Sequence, residues 1–161
     1  VWAIVDADVF GPFVVASGAI ALPRPALASG MAIVGRWRPP VIETLPLSGL
    51  VTESIWVQRR SRIHTVRISV EDTTSIAVAA NFVKDDPEQS PLDAAAGRIF
   101  DVPLRRWGQA ADVGELASPV SGWIAATGIK GFVDEPTVLV TQLRPGRMTI
   151  KAMVLEATKG G

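Results

Sequence analysis

Cysteine and tyrosine are absent from this 161-residue chain, and histidine occurs once. Without cysteine there is no disulfide framework, no thiolate-held zinc and no thiol nucleophile. A single histidine, His64, cannot build a two-histidine metal motif. Net charge is lacking too, because 16 Lys+Arg balance 16 Asp+Glu. The chain as a whole therefore makes no electrostatic case for gripping nucleic acid, and only a local patch can do so. Long apolar runs are also missing. The longest, Phe10 to Leu22, is cut by Gly11, Pro12 and Gly18, and it falls short of the roughly 20 residues of a membrane helix. No charged segment leads into an apolar stretch and a small-residue cleavage site, so no signal peptide is expected. The start at Val1 is expected to reflect a removed leader or a longer parent chain.

What is present points to a packed β protein. Hydrophobic residues make up 48% of the chain and charged residues 20%, which excludes a disordered ground state. The length suffices for one full domain or two very small ones. Val, Ile and Thr supply about a quarter of the residues, and β-branched side chains suit a pleated, half-buried surface. Scattered Pro and Gly separate short apolar runs, as turns do.

Strands are expected at Val1–Val5, Phe13–Ile20, Met31–Val34, Ile55–Gln58, Ile63–Val70, Ile76–Ala80, Arg98–Val102, Ser121–Ala126, Thr137–Leu143 and Met148–Leu155. Gly18 is read as a bulge or bend in the second. Simple alternation puts His64, Val66, Ile68 and Val70 on one face, and Met148, Ile150, Ala152 and Val154 on one face of the last strand. Ala26–Ala32 and Ser90–Ala96 can each form a turn of helix, but loop is the preferred reading. The fold class is all-β: an antiparallel sandwich or barrel-like module with long loops and little helix. Residues 1–83 form an N-terminal β region, 84–97 a polar loop and 98–161 a C-terminal β region, the two regions packed as one domain.

Catalytic motifs are hard to assemble. The chain contains no phosphate-loop, dinucleotide or nucleophile-elbow pattern, and Gly128-Ile129-Lys130-Gly131 reads only as a turn. His64 lies in a strand beside Arg62 and Arg67, with no carboxylate to orient it as a general base. The acid pairs Asp6/Asp8, Glu71/Asp72 and Asp85/Asp86 sit at turns, where acids are common as caps. No catalytic, cofactor or metal residues are assigned. A β-type hydrolase using the acid pairs is the least supported reading.

Arginine is the informative residue, outnumbering lysine 12 to 4. It forms bidentate pairs and stacks on aromatics, and with tryptophan it is enriched at the energetic centres of interfaces. Arg36 and Trp37, then Arg59, Arg60 and Arg62, then Arg105, Arg106 and Trp107, are the candidate interface residues. The competing reading is a solvated basic strand edge that discourages aggregation.

The order of several motifs resembles the C-terminal portion of tail nozzle proteins, the tail tubular protein B type of short-tailed bacteriophages. Met31-Ala32-Ile33-Val34-Gly35 followed by Glu43-Thr44-Leu45-Pro46-Leu47 is similar to that family's "V-x-V-G-L-P" and "E-T-L-P-L" elements. The basic strand Gln58–Val70 and the turn Glu71-Asp72-Thr73-Thr74 follow in the same order. Near the end come Val120-Ser121-Gly122-Trp123, Gln142-Leu143-Arg144-Pro145 and Thr149-Ile150-Lys151-Ala152-Met153. The resemblance spans most of residues 31–157. It departs where Arg36-Trp37 replaces a Leu-Pro and Pro145-Gly146-Arg147 replaces a "P-L-P". It implies a non-enzymatic virion protein of the phage tail: a homo-oligomeric ring, hexameric in the family, contacting adaptor and neighbouring tail proteins, through which DNA passes transiently. No catalytic residues come with the family, and no cofactor is expected for this chain. The alternative reading is a carbohydrate- or surface-binding β-sandwich module in which Trp37, Trp56, Trp107 and Trp123 stack on sugar rings.

Overall fold

The computed structural model describes residues 1–5, 8–23, 30–47, 60–104 and 119–160. Their architecture is all-β, with three antiparallel sheets and a single helical turn. At the N-terminus β1 (Trp2–Val5) lies between β2 (Asp8–Phe10) and β3 (Ala32–Gly35). Ala3, Val5 and Val9 are buried there, whereas every residue of β3 is exposed. The chain then crosses to β4 (Ile42–Glu43), a two-residue edge strand that pairs with Leu139 and Val140.

The remaining strands form two sheets packed face to face. One has the order β10-β5-β8, from β5 (Ser61–Thr73), β8 (Val120–Thr127) and β10 (Thr149–Lys159). The other has the order β4-β9-β6-β7, with β6 (Ala77–Ala80), β7 (Phe100–Asp101) and β9 (Val138–Thr141). Each sheet thus joins strands from before and after residues 84–97.

β5 shows why the sheets stick together. Its β-branched run buries Ile63, Val66, Ile68 and Val70 against Ile76, Val78, Val138 and Val140 of the facing sheet. Each such side chain contributes roughly 1.5–3 kcal/mol relative to exposure. The exposed ion pairs of the same sheet, Arg67–Glu156 at 2.6 Å and Lys151–Glu71 at 3.0 Å, add at most about 1 kcal/mol each. Burial therefore holds the sandwich, and the ion pairs trim it.

β6 and β9 are buried on both faces. The second face carries Ala79 and Leu139, which pack with Phe82, Ala95, Leu92 and Ile99 around α1 (Pro91–Ala94). Proline at the start of α1 lacks an N–H that the first turn would leave unpaired anyway. The segment Ser90–Ala96, read as loop, is thus a one-turn helix with a packing role. A four-residue helix is too short to show apolar periodicity in sequence.

Three further expectations change. His64 does not share a face with Val66. Ala157 pairs with Ile63 and Glu156 with Thr65, so His64 is an extra residue in β5, a bulge that turns Ile63 inward with Val66. A second bulge at Lys151 breaks the last strand: Ile150, Met153 and Leu155 pack on the core, while Ala152 and Val154 are exposed. Phe13–Ile20 is not a sheet strand. It is a small hairpin closed by the Ala16–Ala19 bridge, with Ser17 and Gly18 both at positive φ (50° and 77°), the backbone of a two-residue turn whose twist matches paired strands. β2 and β4 were not anticipated. Ile55–Gln58 and residues 26–29 of Ala26–Ala32 lie outside the described residues.

Candidate functional site

One buried residue ties the two sheets. Asn81 follows β6 with φ 57° and no solvent exposure; asparagine is among the few residues that enter this left-handed region readily. Its Oδ1 accepts the Ile63 N–H at 2.8 Å, and its Nδ2 donates to the Ile63 carbonyl at 2.8 Å and to the Lys130 carbonyl at 3.3 Å. The β8 pairing begins only at Thr65. The Asn81 amide therefore acts as the missing strand neighbour of Ile63 and fixes the loop that follows β8.

The outward surfaces are more varied. On the β10-β5-β8 sheet, Trp123 is 60% exposed beside Ser69, and Val154 and Ala125 flank Arg67. On the N-terminal sheet, Met31, Ile33 and Val34 are exposed, and Val14 at the hairpin is 91% exposed. Val15, Val41, Ile42 and Leu45 are exposed as well. Scattered apolar residues are normal on a monomer, but a contiguous run on both faces of a strand is not.

The candidate interface residues separate into groups. Trp37 is half-buried, its ring edge-on to Trp2 with centroids 5.8 Å apart, and Arg36 beside it is exposed. Arg60 is exposed and pairs loosely with Asp134 at 3.6 Å. Arg62 is half-buried and donates from Nε to the Ile129 carbonyl at 2.7 Å. Arg60 and Arg62 flank the start of β5, and Arg36 and Trp37 follow the end of β3. Arg59, Arg105, Arg106 and Trp107 lie outside the described residues, as does Trp56.

His64 is half-buried, with Nδ1 3.0 Å from the Thr65 hydroxyl. Of the acid pairs, Asp72 binds Arg147 and Glu71 binds Lys151. Asp86 accepts the Glu88 N–H at 2.9 Å as a turn cap; Asp6 is outside the described residues. No group of three or more His, Asp or Glu placed to share a metal ion occurs among the described residues. No helix among them is long and apolar enough to cross a membrane. Asp101, at the end of β7, is the perturbed acid. Partial burial raises its carboxyl above the ordinary value, against the opposing pull of Arg144 at 3.3 Å.

Sequence reasoning missed the Asn81 clamp, since nothing local marks a residue whose partners lie 18 and 49 positions away. It also missed the uncovered face of β3, although the apolar run Met31–Val34 was visible. No protein-family model and no curated protein matches the chain at a significant level.

Proposed function

We propose that this chain is a structural subunit of a bacteriophage tail, part of an oligomeric nozzle or neck ring that supports the channel for DNA ejection. The observation that carries the reading is the uncovered apolar surface of the N-terminal sheet. β3 pairs through its backbone with β1, yet all four of its residues are exposed, as are Met31 just before it and Val14 and Val15 of the hairpin that follows β2. Such a surface is best satisfied by a sister copy. Each valine or isoleucine moved out of water there contributes on the order of 1 kcal/mol, since it is only partly exposed in the single chain. A ring subunit needs two different contacting patches, because only a heterologous contact repeats around an axis. The biological setting in this reading rests on the resemblance of the motif order to that of tail nozzle proteins.

Negative-stain imaging of the purified protein tests this. Rings are expected for the natural chain, and their loss is expected in a Val14→Asp, Ile33→Asp double variant with little change in melting temperature. A natural chain that stays monomeric at all concentrations refutes the reading.

Trp123 favours a second reading. An indole 60% exposed on the outer face of the β10-β5-β8 sheet is a ready platform for a sugar ring. Quenching of tryptophan fluorescence by glycans, lost in Trp123→Ala, separates this module reading from the first.

A further inference from the structure

The side of the sandwich where β7 faces the end of β8 holds a cavity of about 440 Å³, within the roughly 300–1,000 Å³ range of small-ligand sites. Its walls include Arg98, Lys130, Phe100, Ile129 and Thr127, and no carboxylate lines it among the described residues. Neither Arg98 nor Lys130 has an acidic partner among the described residues, unlike Arg67, Arg144, Arg147 and Lys151. A second cavity, about 640 Å³ at the β4 edge, has the opposite character. Glu43, Asp134 and Glu135 line it, and its Lys84 is bound to Glu43 at 2.7 Å.

The loop beneath the cationic cavity is held in place before any ligand arrives. The Ile129 carbonyl accepts from Arg62 at 2.7 Å, the Ile129 N–H reaches the His64 carbonyl at 3.4 Å, and the Lys130 carbonyl accepts from Asn81. Arg98 is positioned as well, through Nη1 donating to the Asn81 carbonyl. Gly131 makes room for it. A Cβ at that position would sit 3.2 Å from Arg98 Nη1, and the backbone there has φ +100°. Two unpaired cations, a third behind the loop, and an aromatic wall are thus gathered around one opening.

We propose that this cavity binds a nucleotide unit, with the phosphate between Arg98 and Lys130 and the base against Phe100. Unpaired Arg and Lys give charge-assisted hydrogen bonds to phosphate oxygens, and an aromatic face stacks on any base without demanding sequence. The site goes beyond the assembly reading and does not depend on it, since every wall belongs to one chain. The nucleotide unit has two sources, a free nucleotide or a residue within a single strand.

Fluorescence anisotropy with a labelled ten-residue oligothymidylate, and calorimetry with adenosine monophosphate, test the proposal at low salt. Binding of either probe is expected, with tenfold or greater weakening in Lys130→Gln and in Arg98→Gln, the loss of a hydrogen bond to a charged group. Lys130 is exposed and its side chain makes no hydrogen bond or ion pair among the described residues, so Lys130→Gln is expected to leave the melting temperature unchanged. Phe100→Leu is expected to weaken adenosine monophosphate but not inorganic phosphate. Adenosine monophosphate binding without oligothymidylate binding assigns the free nucleotide, and oligothymidylate binding displaced by adenosine monophosphate assigns the strand. Absence of binding by both probes overturns the proposal. So does binding that survives Lys130→Gln, or inorganic phosphate binding as tightly as adenosine monophosphate.

Discussion

Replacing Asn81 with alanine removes the group that stands in for a strand beside Ile63. The Ile63 N–H and carbonyl each lose a 2.8 Å partner in a place sealed from water. A buried backbone group left unpaired costs about 1–3 kcal/mol. Alanine must also hold the left-handed backbone of residue 81, φ 57°, at roughly 1 kcal/mol more than asparagine. Together the expected loss is about 3–7 kcal/mol, a large share of the about 5–15 kcal/mol that holds an ordinary domain. Urea unfolding followed by tryptophan fluorescence reads this directly. At about 2–4 °C per kcal/mol for a chain of this size, the melting temperature should fall by about 6 °C or more. Asn81→Gly should recover only the backbone part, about 1 kcal/mol. Asn81→Asp should fare no better than alanine, because a carboxylate keeps the acceptor for the Ile63 N–H, turns no donor toward its carbonyl and buries a charge. An alanine variant within about 1 kcal/mol of the natural chain would mean that Asn81 does not hold Ile63 in place.

Other perturbations have equally definite outcomes. Leu139→Ala empties a fully buried position on the helix side of the β4-β9-β6-β7 sheet, and is expected to lower unfolding free energy by about 2–5 kcal/mol. Arg67→Ala removes an ion pair whose partners are 56% and 37% exposed; its effect should stay below about 1 kcal/mol and shrink in salt. The raised carboxyl of Asp101 prefers its proton in the folded state, so its ionisation lowers stability as pH rises through the folded value. Asp101→Asn should therefore unfold at higher urea than the natural chain at pH 7, and the gap should close on acidification toward the unfolded value of 3.8. A gap that widens on acidification contradicts the assigned cause.

Much of the architecture is legible from composition and spacing, because β-branched runs and turn residues act locally. Ile63–Val70, Ile76–Ala80, Ser121–Ala126 and Thr137–Leu143 lie within or around observed strands for that reason. Faces were harder to read than strands. A bulge adds one residue to one strand only, and His64 and Lys151 carry no mark of it, yet each reverses the alternation on one side of itself. α1 and β4 escaped because four and two residues hold no period. The surfaces were legible only in part. The arginine-rich stretches stand out as composition, but Arg62 turns back to Ile129, and Trp37 meets Trp2. The cationic cavity draws on residues from 80 to 131, so it exists only once the sheets have closed.

In the proposed assembly, sister copies cover the apolar surface of β3 and the hairpin before it. Sedimentation equilibrium over a wide concentration range measures that most directly. A single species at an integral multiple of 17.1 kDa, reverting to the single-chain mass when Val14 and Ile33 become aspartate, is the predicted result. A mass of one chain at every concentration, with the natural residues in place, contradicts it.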